Sequence, residues 1–113
     1  YHTSLDDLTV VTPRGLAGGY HVAKTCLYCL EHNRTWRNTV LCEPQLGKRG
    51  LYPTLGARTN VAQVALVRDL LAYCDGTRDL LAVADTIGQP MPACIEAVQR
   101  LQKEGLLEEV GCR

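Results

Sequence analysis

Three small groups of residues in this 113-residue chain have the types and spacing for chemistry. The first is a Cys-x-x-Cys pair, Cys26 and Cys29, whose spacing is used by zinc and redox sites. A zinc ribbon needs a second pair, and the other four cysteines are isolated: Cys42, Cys74, Cys94 and Cys112. Positions three apart share one face of a helix. The pattern therefore favours packing in a helical core, with a metal site as the alternative.

The second group is a basic pair, Lys48 and Arg49, which lies between Gly47 and Gly50. Glycines let a ligand approach the backbone closely, and a guanidinium binds carboxylate or phosphate through two hydrogen bonds. The run is not a phosphate-cradling P-loop, because no Ser or Thr follows the lysine. A solvated loop is the favoured interpretation, and Arg49 is the better candidate if the pair contacts a substrate or another anion.

The third group begins at His2, in the run Tyr1-His2-Thr3-Ser4-Leu5-Asp6. Neutral imidazole is a good zinc ligand, and polar groups beside it can orient the ring. This His-Thr-x-x-Asp stretch, a helix that begins at Thr12-Pro13 and the run over residues 42–53 together resemble the bacterial two-zinc aminopeptidase-like family. The similarity is to the C-terminal part of a branch with an inserted domain and a C-terminal winged helix-turn-helix, and it spans essentially the whole chain.

The resemblance implies that the chain is the C-terminal part of a longer zinc-dependent hydrolase. His2 would be the last zinc ligand, and Asp6 would support the site from outside the coordination sphere. The other ligands and the catalytic groups lie upstream in this family, so we expect no catalytic residue here. The isolated chain should neither hold zinc tightly nor hydrolyse peptides. The implied partners are the upstream catalytic domain and a peptide or amide substrate. Surface-sugar or secondary-metabolite biosynthesis, with which the branch is associated, suggests an unusual amide.

Apolar periodicity predicts an α+β chain in two parts. In residues 1–57, Thr12-Pro13 predicts the start of a helix, with Thr12 as the N-cap and Pro13 as the first helical residue. This helix is expected to end near His32-Asn33. An apolar stripe runs along it: Leu16, Tyr20, Ala23, Leu27 and Leu30. A short strand over 39–42 and an ordered loop over 45–53 follow. We interpret 1–57 as the end of an α/β zinc-peptidase domain, whose stripe is exposed without the rest of that domain.

We predict that residues 58–113 form a mainly α winged helix-turn-helix domain. The boundary before it falls within a predicted linker at 56–59. One helix is capped by Asn60 and ends at Asp75-Gly76, and a second is capped by Thr77 and closed by Gly88. A third helix begins near Pro92 and ends at Gly105, and a strand follows over 106–110. Three helices, a glycine stop and a strand are typical of a winged helix, and a three-helix bundle is the alternative.

Charge separates the possible roles of this second part. Residues 1–58 carry seven Lys/Arg against four Asp/Glu, whereas residues 59–113 carry five against eight. Winged helices that bind nucleic acid usually carry a basic surface. Because residues 59–113 are net acidic, we favour a protein-docking role over a nucleic-acid-binding or regulatory module. An enzyme-like scaffold without activity is a third possibility. No run is apolar enough for a membrane span, and the cysteine pattern favours reduced thiols in the cytoplasm over disulfides.

Overall fold

The computed structural model describes residues 3–5, 7–42, 44–51 and 61–111, and it divides the chain into two compact units. The first unit is Tyr1–Glu31 and the second is His32–Arg113. In the described residues there are four α-helices, one short 3₁₀ turn and one three-stranded antiparallel sheet. The predicted α+β class is therefore confirmed, whereas the end of a peptidase domain stays a prediction.

The first unit consists mainly of helix α1, Pro13–Glu31. Its start agrees with the sequence signal, because the Thr12 hydroxyl accepts a hydrogen bond from the Gly15 N–H at 3.1 Å. Pro13, which has no N–H to satisfy, occupies the first helical position. None of the described side chains on α1 is buried, so the stripe of Leu16, Tyr20 and Leu27 is exposed as the sequence predicted.

The second unit combines the sheet with three helices. Strand β1 is Thr35–Asn38, α2 is Val61–Tyr73, β2 is Asp75–Asp79, α3 is Leu80–Ile87, α4 is Met91–Lys103 and β3 is Leu107–Glu109. The sheet order is β2-β1-β3, with β1 antiparallel to both neighbours. The helices pack on one another and on the sheet around side chains that are almost fully buried: Leu70, Leu80, Val83, Ile95, Val98, Leu101, Leu106 and Leu107. Trp36 on β1 is also buried.

Two predicted elements were wrong in position. The strand expected over 39–42 lies at Thr35–Asn38, because those residues find partner strands on both sides. Thr77 does not cap a helix: its N–H and hydroxyl both bond the Asp75 carboxylate, at 2.8 and 2.6 Å, within strand β2. The helix starts only at Leu80, and Asp79 caps it.

The predicted boundary between residues 57 and 58, like the linker at 56–59, lies outside the described residues and stays a prediction. Described residues before it nevertheless join the second unit, since β1 is the central strand of the sheet. The predicted loop contains a 3₁₀ turn, Leu46–Arg49, and it buries Leu46 and Leu51. No described helix is long and apolar enough to cross a membrane.

Candidate functional site

The sequence predicts a single zinc ligand in this chain, His2, with the other ligands upstream in a longer protein. His2 and Asp6 lie outside the described residues, so their roles stay predictions. Among the residues that are described, no three His, Cys, Asp or Glu side chains come together as metal ligands. These residues therefore do not fit a zinc site, and we derive no chemical step through zinc.

The Cys-x-x-Cys pair is not packed in a core within this chain. Cys26 is exposed and Cys29 is half-buried on α1, both as free thiols. The predicted core packing of the pair was wrong for the chain by itself, because α1 has no buried face. By contrast, Cys74 and Cys94 are buried, and burial raises the pKa of the Cys74 thiol to about 12.

The basic pair lies on the 3₁₀ turn, where both side chains belong to exposed residues. The Arg49 guanidinium donates from Nη1 to the Glu104 carbonyl oxygen, 2.5 Å away at the end of α4. Arg100 on α4 donates in the opposite direction, from Nη2 to the Gly50 carbonyl at 3.3 Å. The two arginines thus hold the turn against the helix, and an anion contact through Lys48 or Arg49 stays a prediction.

The helix-turn-helix itself is formed by α3 and α4. Gly88 ends α3 in the left-handed conformation, at φ +64°, and Gln89 and Pro90 lead into α4. The N-terminus of α3 is held from two separate segments. Its first three N–H groups donate, in order, to the Arg34 carbonyl at 2.9 Å, the Asn33 side chain at 2.9 Å and the Asp79 carboxylate at 2.9 Å.

Asn33 and Asp79 are also bonded to each other, from Nδ2 to Oδ2 at 2.9 Å. The hydrogen bonds from the Ala82 backbone and from Asn33 lower the pKa of Asp79 below its ordinary value of 3.8. The sequence predicts Asn33 at the end of α1, a position that gives no indication of this contact. No local signal could have shown it, since 46 residues separate the two side chains.

Helix α4 is the element that would read DNA in a winged helix. One face packs into the core through Met91, Cys94, Ile95, Val98 and Leu101. The charges on its exposed positions are mixed, with Glu96 against Arg100 and Lys103. Two basic side chains beside one acidic side chain do not form the basic stripe that phosphate contacts require, and the Arg100 guanidinium also bonds the Gly50 carbonyl.

Two arginines at the central strand of the sheet contact acidic side chains of a neighbouring strand. Arg37 lies directly opposite Glu108, and both its Nε and its Nη2 contact one oxygen of that carboxylate, at 2.9 and 2.5 Å. On its other side Arg37 faces Asp75, and Arg34 contacts Glu109 at 3.4 Å. Two basic residues of the first half of the sequence, Arg34 and Arg37, therefore contact acidic residues of the second half, a pairing that charge counts did not reveal.

A groove of about 520 Å³ lies between α2 and the segment after β1. Apolar side chains such as Val40, Leu46 and Val64 line it, with Arg68 among the lining residues. Leu41, beside them, is fully exposed. This groove has no signature in the sequence, because its walls come from separate parts of the chain.

Comparisons with known proteins agree with this architecture. Over 97% of its length the chain is 35% identical to a Clostridium acetobutylicum protein provisionally named a polysaccharide biosynthesis protein with aminopeptidase-like domain, of which it covers 26%. It also resembles the 2.37 Å crystal structure of a provisionally assigned peptidase from Clostridium acetobutylicum, with a TM-score of 0.80, 33% identity and coverage of 97% of this chain and 24% of the other. The chain thus spans about a quarter of the length of these relatives.

A family model for the winged helix-turn-helix matches residues 34–109. The match begins before β1 and ends with β3, so it includes the whole sheet and all three helices of the second unit. It covers well over half of the sequence, and the chain belongs to the winged helix-turn-helix family.

Proposed function

We propose that the chain is the accessory winged-helix interaction module of a zinc-dependent aminopeptidase-like hydrolase. The similarity to a protein named for an aminopeptidase-like domain supports the link to a larger enzyme. That relative is also named a polysaccharide biosynthesis protein, and we propose on this basis an amide substrate connected with polysaccharide biosynthesis. In this proposal the hydrolase activity belongs to the whole protein, while these residues supply a docking module and, through His2 with Asp6 behind it, one zinc ligand.

The ion pairs at the sheet are the observation that favours a protein partner over nucleic acid. Arg34, which precedes β1, contacts Glu109, and Arg37 on β1 contacts Glu108, so each of these two basic side chains already has an acidic partner. The exposed face of α4 adds no basic stripe, and non-specific DNA affinity comes mainly from neutralised phosphates. We expect fluorescence anisotropy with duplex DNA at physiological salt to give no nanomolar binding. Nanomolar affinity that falls steeply with added salt would contradict the docking role.

The enzymatic part is tested on the full-length protein. We expect purified full-length protein to contain zinc and to hydrolyse aminoacyl amides. The His2→Ala variant should lose zinc and activity together, because one of few metal ligands is removed. His21→Ala, an exposed histidine on α1, is the matched control and should change neither. A full-length protein without zinc, or a His2→Ala variant with full activity and zinc content, would contradict this part.

A further inference from the structure

The groove between α2 and the segment after β1 has the size and the lining of a binding site. Its volume of about 520 Å³ lies within the range of about 300–1,000 Å³ that is usual for ligand sites. One wall is a single face of α2, whose lining residues recur three and four positions apart: Val64, Arg68, Leu71 and Ala72. Leu46 and Leu71 close its inner side, since both are almost fully buried.

Hydrogen bonds fix the two walls of the groove to each other. The Asn38 side chain donates from Nδ2 to the Leu71 carbonyl on α2 at 3.0 Å, and its Oδ1 accepts the Val40 N–H at 3.0 Å. The next residue, Thr39, donates its hydroxyl to the Gly105 carbonyl at 2.7 Å. The segment after β1 is thus held to α2 and to the end of α4. A site that is already formed loses less conformational entropy when a partner binds.

Leu41 lies at the edge of this groove with its side chain in solvent. It lines the groove and is fully exposed, more than any other large hydrophobic residue in the described part of the chain. The hydrogen bond to the Val40 N–H keeps the preceding residue in place. Single exposed leucines are ordinary on a protein surface, but this one extends an apolar groove into a larger apolar patch. Such a patch is typical of an interaction site.

Arg68 is the only charged residue among the described residues that line the groove. Its side chain is 70% exposed, and it contacts Asp69, its neighbour in sequence, at 3.0 Å. An exposed ion pair of this kind contributes little stability, so its guanidinium can accept a second carboxylate at low cost. A single cation in an apolar groove is complementary to an acid surrounded by apolar side chains. Nucleic acid and anionic membranes need several basic groups together.

We propose that this groove binds a peptide segment of another protein in which an Asp or Glu lies among apolar residues. The carboxylate would contact Arg68, and an apolar side chain would pack against Leu41. This inference rests on the proposed function in one respect, because it names the surface and the partner of the docking module. It requires neither zinc nor hydrolysis.

The experiment selects binders without assuming the sequence of the partner. A phage-displayed library of random linear peptides is panned on the full-length protein, and phages that also bind its Leu41→Asp variant are removed. We expect the remaining peptides to share an Asp or Glu that is flanked by apolar residues. A fluorescein-labelled peptide of this group is then titrated with the full-length protein, and fluorescence anisotropy gives its Kd.

Charge variants test the contact with Arg68. Arg68→Gln should weaken the acidic peptide about tenfold, because a charge-assisted hydrogen bond is lost. Arg68→Glu should weaken it further and should bind the same peptide more tightly once its acid is replaced by lysine. Lys103→Glu, at an exposed position of α4 that does not line the groove, is the matched charge reversal and should change Kd less than about twofold. Leu81→Asp, at a half-exposed leucine of α3, is the corresponding control for Leu41→Asp and should leave binding intact.

Each of the other outcomes overturns the proposal. Peptides that depend on Leu41 but carry no acid would exclude the carboxylate. Equal weakening by Arg68→Glu and Lys103→Glu would indicate a general effect of charge. Peptides that bind the 113-residue chain but not the full-length protein would mean that the same polypeptide covers the groove. Self-association of the full-length protein that Leu41→Asp abolishes would identify a second copy as the occupant.

The proposed function and this inference can fail separately. Groove-dependent peptide binding by a full-length protein that contains no zinc would refute only the hydrolase. Zinc content and activity in a full-length protein that selects no such peptide would refute only the binding groove.

Discussion

The side chains of Asp79 and Asn33 together cap the N-terminus of α3, and their removal tests how much this cap stabilises the second unit. Asp79 accepts the Ala82 N–H and the Asn33 amide, while Asn33 accepts the Leu81 N–H. The perturbations are Asp79→Ala, Asn33→Ala and the double variant. Asp79→Asn retains a capping oxygen without the charge. Asp85→Ala, an exposed acid on the same helix, is the control.

The expected loss follows from the hydrogen bonds that each change removes. An N-cap replaced by alanine costs about 1 kcal/mol, and a lost neutral hydrogen bond in an exposed position costs about 0.5 kcal/mol. Asp79→Ala should therefore lower the free energy of unfolding by about 1–2 kcal/mol, and Asn33→Ala by about 0.5–1 kcal/mol. Because the two side chains share a bond, the double variant should lose about 0.5 kcal/mol less than the sum.

Urea unfolding monitored by tryptophan fluorescence measures these losses. Trp36 is the only tryptophan of the chain and is 7% exposed in the central strand, so its emission reports the second unit. At about 1 kcal/mol per molar urea, Asp79→Ala should lower the midpoint by about 1–2 M. Asp85→Ala should change the free energy of unfolding by less than about 0.5 kcal/mol.

The pH dependence gives an independent test of the same cap. The folded pKa of Asp79 is lowered by its hydrogen bonds, so the carboxylate stabilises the fold fully above the ordinary pKa of 3.8. That stabilisation is lost as the pH falls through the lowered folded value. The difference between the parent chain and Asp79→Ala should therefore shrink in acid below pH of about 4. Equal midpoints for Asp79→Ala and Asp85→Ala at neutral pH would refute the cap.

Three further outcomes follow from the second unit. Arg37→Ala and Glu108→Ala should show a coupling of only about 0.2–1 kcal/mol in a double-mutant cycle, since both side chains are about half exposed; zero coupling would argue against the cross-strand pair. Leu70→Ala should cost about 2–5 kcal/mol in urea unfolding, because its side chain is fully buried; a loss below about 1 kcal/mol would contradict the packing. Iodoacetamide at pH 8 should alkylate the exposed Cys42 quickly and Cys74 only after unfolding, since burial raises the pKa of Cys74 to about 12; equal rates would contradict its burial.

Features set by near neighbours in the chain were predictable. The cap and proline at Thr12-Pro13 place the start of α1 correctly, because the hydroxyl reaches an N–H only three residues away. The order of helices after residue 60 and the stop at Gly105, at φ +68°, also agree with the sequence. These signals work because their hydrogen bonds close within a single turn.

Features that depend on distant partners were missed or misplaced. Strand β1 has only four residues, and its position is set by registers with β2 and β3 some 40–70 positions later. Asn33 is an ordinary helix-end residue until α3 is folded against it. The choice of Asp79 over Thr77 as the cap likewise depends on β2 pairing with β1, since that pairing holds Thr77 in a strand.

The functional features also separate into those that depend on neighbouring residues and those that depend on distant partners. Residue types and short spacings are enough to indicate a winged helix and the resemblance that makes His2 a candidate ligand, since motifs of this kind are written in adjacent positions. Which charges remain available to a partner depended on the folded sheet, where Arg37 and Glu108 meet across 71 positions. Charge counts add along a chain, but neutralisation needs contact within a few ångströms, and that contact exists only after the strands have paired.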